Sequence, residues 1–143
     1  MEHLAIMRRS WRLIQKILSG EKKIESRWYM CKYSPWDKIK SGEIIYFKDS
    51  GDLVRIKAEV KKVIQVSNLN SKKVKEILEK YGGKGGICIE NIPKFFKILK
   101  NKKYCILIFL KNTKKIKPFK INKKGYGLMS AWITTENINN LRK

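Results

Sequence analysis

The chain has 143 residues, 43% apolar and 10% aromatic, enough for one packed core of ordinary domain size, and this excludes intrinsic disorder despite the charge. Against 34 Lys+Arg stand only 12 Asp+Glu, a formal +22. Self-repulsion of that size opposes folding unless something polyanionic screens it, so a nucleic acid is the first partner class to consider, ahead of an anionic membrane surface or a merely solvated exterior.

Residues 4–7 alternate as a short strand. Ser10 is placed to cap a helix running to Ser19, with Trp11, Leu13, Ile14, Ile17 and Leu18 as its apolar stripe and Gly20 as its stop. A strand over 23–29 follows, then a loop over 30–41 centred on Ser34-Pro35. Residues 40–43 turn into a strand over 44–48, and Asp49-Ser50-Gly51-Asp52 is a hairpin connection to a long strand over 53–66, bulged near Lys61-Lys62.

Ser71 caps an amphipathic helix to Tyr81, with Val74, Ile77 and Leu78 inward, and Gly82-Gly83-Lys84-Gly85-Gly86 ends it as a mobile loop. Pro93 opens a second helix to Asn101. Residues 104–111 form the clearest buried strand, and shorter strands fall at 119–121 and 131–133. No repeat or linker divides residues 1–143, so the expectation is one α+β domain. Its core is a closed or nearly closed β-barrel of about five to six mostly antiparallel strands, with helices packed outside.

The charge is unevenly spread. No acid occurs between Glu90 and Glu136, while Lys94, Lys97, Lys100, Lys102, Lys103, Lys111, Lys114, Lys115, Lys117, Lys120, Lys123 and Lys124 accumulate. The longest apolar run, 104–110, is far too short to span a membrane, and residues 1–7 lack the order of a signal peptide, so a cytoplasmic protein without a membrane role is expected. Cys31, Cys88, Cys105 and the lone His3 form no zinc signature, and neither a metal nor a cofactor is expected. Cys88 and Cys105, each set in an apolar context, read as buried small hydrophobes.

Gly20-Glu21-Lys22-Lys23-Ile24-Glu25-Ser26-Arg27 fits the pattern G-x-K-x-x-E-x-R. Alternation puts Glu25 and Arg27 on one strand face and Ile24, Ser26 and Trp28 on the other. Lys22, at the strand entrance, would lean over the same cleft. Lys22, Glu25 and Arg27 then either present cationic donors to a phosphate or base edge, or form an internal ion-pair network at the helix-to-strand junction. Trp28, Tyr29, Tyr33 and Trp36 fall within nine residues, beside Lys32 and Lys38. They either stack bases or fold over the barrel end as its plug, and Trp132 either joins them or sits in the core. Gly125-Tyr126-Gly127 is a tight turn that brings Tyr126 and Ser130 toward the cleft.

The segment from Gly20 to Arg27, with residues 3–19 before it and Ile39 to Phe47 after it, resembles the ASCH family of the PUA-like superfamily, well over the first half of the chain and loosely over the second. The resemblance implies a PUA-like barrel and an RNA-related role. The expected function is RNA binding, to single-stranded or structured RNA, in a basic cleft at Lys22, Lys23, Glu25, Arg27, Trp28, Lys32, Tyr33, Trp36, Tyr126 and Trp132. DNA ranks second as partner, and a protein partner stays open. The alternative is an RNA-processing enzyme in the same cleft, a ribonuclease or a modified-nucleoside hydrolase. Some ASCH proteins deacetylate N4-acetylcytidine with the motif lysine and a threonine three residues later; Glu25 occupies that later position here. Candidate catalytic residues are Lys22, Glu25, Tyr29 and Ser130.

Overall fold

The computed structural model describes residues 1–127 and 130–143. In chain order it contains β1 (Glu2–Met7), α1 (Leu13–Ser19), β2 (Ile24–Tyr29), β3 (Ile44–Asp49), β4 (Val54–Val66), α2 (Ser71–Tyr81), α3 (Ile92–Leu99), β5 (Tyr104–Phe119) and β6 (Trp132–Thr135). Short 3-10 turns occupy Arg9–Trp11 and Ile138–Leu141. The strands form one sheet in the order β2-β5-β4-β3-β1-β6. Only the β1–β3 pairing is parallel among these; the other four are antiparallel.

Side chains of the two edge strands touch: the Arg27 guanidinium of β2 lies over the Trp132 ring of β6. The face they share is therefore concave, and the sheet curls into a half-barrel. Ala5, Met7, Phe47, Ile56, Ala58, Val60, Ile106 and Ile108 fill this concave side, and Ile14 and Ile17 of α1 plug it. The convex side carries two separate clusters. Val74 and Leu78 of α2 and Leu99 of α3 cover Ile24, Cys105 and Leu107, while Ile138 and Leu141 cover Leu4, Val54 and Ile133. Each fully buried aliphatic side chain contributes roughly 1.5–3 kcal/mol, so α2, held by Val74 and Leu78 one helical turn apart, docks on few anchors.

Several local expectations need correction. Ser10 caps nothing: Arg12 sits in the left-handed region at φ 53°, and α1 starts only at Leu13. Trp11 leaves the core stripe, 40% exposed, and meets Phe95 edge-on. Asn70, not Ser71, caps α2 by accepting from the Lys73 N–H, because the extended residue before the first turn is the one whose side chain can reach back. β5 runs on through the lysine-rich residues 111–119, so no separate strand occupies 119–121; cross-strand pairing with β4 supplies order that the polar pattern does not advertise. Cys105 is buried, and burial pushes its thiol up, whereas Cys88 is only half-buried.

The glycine-rich loop, expected to be mobile, is tied to the start of β2 by backbone hydrogen bonds. Gly85 N–H donates to the Glu21 carbonyl at 2.7 Å, and the N–H groups of Lys23 and Ile24 both donate to the Gly86 carbonyl, at 2.9 and 3.0 Å. A Cβ on Gly86 would lie 2.1 Å from the Tyr81 carbonyl oxygen. Gly86→Ala should therefore destabilise the protein by about 1–3 kcal/mol through backbone displacement, measured as a shift in the urea midpoint. An unchanged midpoint would mean the loop yields freely.

Candidate nucleic-acid interface

The G-x-K-x-x-E-x-R segment begins where α1 ends. Gly20, at φ 82°, turns the chain out of the helix, and Lys22 N–H closes the turn on the Lys16 carbonyl at 3.0 Å. This sharp exit swings the Lys22 side chain inward. Its ammonium, on a residue only 3% exposed, donates to the carbonyls of Ile24 (2.8 Å) and Ile87 (3.0 Å) and stands 3.5 Å from Glu25 Oε1. Burial drives the Lys22 pKa down, and Glu25 opposes that shift. Three neighbours for three N–H donors leave nothing to offer a phosphate. Lys22 thus does not lean over an open cleft; it pins the glycine-rich loop to the start of β2.

From Glu25 the network crosses the concave face. Glu25 Oε1 accepts from the Ser26 N–H at 3.0 Å, and Oε2 from Arg27 Nη2 at 3.3 Å. The guanidinium then spans the seam between the two sheet edges. Nη1 donates to the Ala131 carbonyl at 3.3 Å, Nη2 reaches the Ile6 carbonyl and Met7 Sδ, each at 3.5 Å, and Cζ sits 5.1 Å from the Trp132 ring centre. Behind Trp132 lies His3, fully buried. Trp132 Nε1 donates to His3 Nδ1 at 3.2 Å, His3 Nε2 donates to Glu43 Oε1 at 2.8 Å, and Thr134 Oγ1 is 3.1 Å from Nδ1. That pattern requires the neutral ring, and burial lowers its pKa accordingly. Glu43 also receives the Lys40 N–H at 2.8 Å and the terminal amine at 3.1 Å. Burial alone would raise the Glu43 pKa, but these hydrogen bonds hold it below the usual carboxylate range.

Sequence reasoning missed His3 and Glu43 as members of this array. The available signal was period-two alternation, which places His3 on the inward face of β1 with Ala5 and Met7. It also gave no warning of Asp49, whose buried Oδ1 has no hydrogen-bond partner among the described residues and whose pKa burial pushes up.

The aromatic group divides. Trp28 faces the convex side, its Nε1 donating to Ser26 Oγ at 2.9 Å, and so stands apart from Arg27. Tyr29 faces inward; its hydroxyl donates to the Ser34 carbonyl at 2.9 Å, and burial raises its pKa. Trp36 packs against the concave core, edge-on to Tyr104, so the loop does plug that end. Tyr33 remains 61% exposed against the Tyr29 edge, and Lys32 lies 5.9 Å over the Tyr104 ring. Tyr126, 44% exposed, caps a turn closed by its N–H on the Lys123 carbonyl. Ser130 Oγ donates to the Trp132 carbonyl at 3.2 Å.

The basic groove lies on the other side of Lys22. Gly20, Lys22 and Lys23 meet Lys61 of β4 and Lys111 of β5 around a volume of about 380 Å³. Lys23, Lys61 and Lys111 are exposed there. Beyond it the β4–β5 ribbon places Lys57 directly opposite Lys114, Lys115 opposite Ile56 and Lys111 opposite Glu59. No helix among the described residues is long and apolar enough to cross a membrane.

Comparison with solved structures agrees on this architecture. The ASCH protein of Zymomonas mobilis superposes with a TM-score of 0.67 at 14% identity, covering 99% of this chain and 96% of that one. A tyrosine-to-phenylalanine variant of the same protein gives 0.67 at 13% identity over 99% of both chains. A hypothetical protein, PH0355, gives 0.54 at 25% identity, covering 81% of this chain and all of that one. No family model matches the sequence, and neither does any curated protein. The chain has the ASCH fold.

Two outcomes follow from the buried array. Glu25→Gln leaves Lys22 and Arg27 facing each other without a counter-charge, and should cost about 3–5 kcal/mol in chemical denaturation; a loss below 1 kcal/mol would mean water already screens the pair. The unfolded chain protonates His3 near its ordinary value of 6.5 while the folded chain resists, so stability falls as pH drops below 6.5, by at most about 1.4 kcal/mol per unit. Glu43 begins to add its own loss only below its ordinary 4.5. Thermal melts from pH 7 to 5 should show that decline, and His3→Gln should flatten it.

Proposed function

We propose that this chain, with its ASCH fold, binds RNA along a basic track. The track starts in the groove beside the G-x-K-x-x-E-x-R segment and continues over the β4–β5 ribbon. The observation that carries the reading is the register of Lys57 against Lys114. Like charges directly opposite destabilise a ladder, and a strip of them is tolerable where a polyanion answers it. Lys23, Lys61 and Lys111 stand at the groove end of the same strip. The preference for RNA over DNA rests on the resemblance to ASCH and PUA-like domains.

Within this reading the motif has a division of labour. Lys22 and Glu25 build the floor, Lys23 meets phosphate, and Arg27 fixes the mouth of the half-barrel against Trp132. Tyr33, with its ring in solvent beside Lys32, offers a stacking surface contributing about 1–3 kcal/mol per base. RNA processing in the same cleft has weaker support. The hydroxyls of Tyr29 and Ser130 each donate to a backbone carbonyl, and the Lys22 ammonium is fully engaged.

Fluorescence anisotropy with labelled single-stranded RNA, run at several salt concentrations, tests the proposal. The log-log slope should be about −0.7 per phosphate contacted. Lys61→Glu and Lys111→Glu should each weaken binding several-fold and flatten the slope, Lys111→Glu at some cost in melting temperature because it faces Glu59, while Lys72→Glu on α2 should do far less. Salt-independent binding, or equal losses at all three positions, would overturn the track.

A further inference from the structure

The basic pocket on the opposite, convex face has gone unassigned. It lies between the β3–β4 turn and the C-terminal segment, holds about 260 Å³, and is lined by Lys48, Gly51, Asp52, Leu53, Lys120, Ile121 and Lys143. It shares no lining residue with the groove beside Lys23. Lys48 is the unusual member. Its strand register pairs it with Ile6 on one side and Val54 on the other, which leaves it only 9% exposed. Its ammonium has no hydrogen bond or ion pair to any of the described residues and opens to the pocket. A lysine whose stem is packed into the sheet while its ammonium opens into a pocket has its donors aimed at whatever acceptor enters from outside.

The surrounding charge says which acceptor. Asp52, the one acidic side chain among the lining residues, is gripped by Arg55 through Nε at 3.0 Å and Nη2 at 3.1 Å, and that hydrogen bonding holds its pKa at about 2. Its charge is thus already answered. Lys120 is exposed at the rim and adds a second cation. Burial lowers the Lys48 pKa, and the nearby Lys123 charge adds to the effect. A small oxyanion supplies both what the ammonium lacks in hydrogen bonds and what the cluster lacks in charge.

We propose that this pocket is a phosphate site, with Lys48 as its buried anchor and Lys120 as a rim contact. The phosphate has two sources, a free phosphate or phosphomonoester and a diester of a bound nucleic acid, and both present the same oxygens to Lys48. The site is independent of the RNA track, which uses other residues.

The test is thermal shift with inorganic phosphate against sodium chloride at matched ionic strength. The wild-type melting temperature should rise specifically with phosphate. Lys48→Met, which removes the ammonium and keeps the apolar stem, should abolish the phosphate-specific rise. Lys120→Met, at an exposed position, should reduce the rise without changing the baseline, and it carries the test if Lys48→Met fails to fold. A rise equal to that in chloride, or an equal rise in wild type and both variants, overturns the proposal unless RNA titration shows that Lys48→Met or Lys120→Met weakens binding. That last result would place a diester in the pocket; a phosphate response with unchanged RNA affinity would place free phosphate there. Lys61→Glu and Lys111→Glu, which probe the RNA track, should keep the full phosphate response, so either idea can fail alone.

Discussion

The guanidinium of Arg27 holds the curled sheet together at its seam. The two edge strands meet there through one side chain, which gathers the carbonyls of Ile6 and Ala131, the Glu25 carboxylate and the Trp132 ring. An unpaired arginine could not remain in so enclosed a place, so Glu25 must stand beside it, and Glu25 in turn shares its charge with Lys22. From the glycine-rich loop to Glu43 the contacts continue as Lys22, Glu25, Arg27, Trp132 and His3. Each member supplies what its neighbour lacks.

This arrangement explains how so basic a chain folds. Glu25 and Glu43 serve the interior, and Glu21, Asp52, Glu59 and Glu90 are engaged at or near the surface by Lys84, Arg55, Lys111 and Lys16. The remaining acids, among them the exposed Asp37, Glu76, Glu79 and Glu136, are far too few to neutralise 34 Lys+Arg. The surplus lysines collect on the β4–β5 ribbon, on the helices and around the Lys48 pocket, where solvent or a polyanion must compensate them. Interior order and exterior charge are two sides of one distribution of scarce carboxylates.

The ASCH fold persists here at 13% to 15% identity to the Zymomonas mobilis protein. What such distant chains can hold in common is the inward and outward alternation of strands and the helix that plugs the concave side, since these depend on apolar character and not on residue identity. The surface is free to carry different chemistry, and so the likeness speaks to architecture while the groove and the pocket must be argued from their own residues.

Alternation alone determined much of this protein. It separated Glu25 and Arg27 from Trp28, located β1, β3 and β4, and marked α2, because side-chain direction in a strand or helix follows local periodicity. Glycine chemistry likewise placed the end of α1 at Gly20. Tertiary structure decided what periodicity cannot encode. It turned Lys22 inward onto the Ile87 carbonyl, set His3 behind Trp132 at a separation of 129 residues, extended β5 through a run of lysines, and packed the Lys48 stem into the sheet beside a pocket. Each of these depends on which distant backbone arrives alongside, and a contact between remote segments leaves no repeating signature in either one.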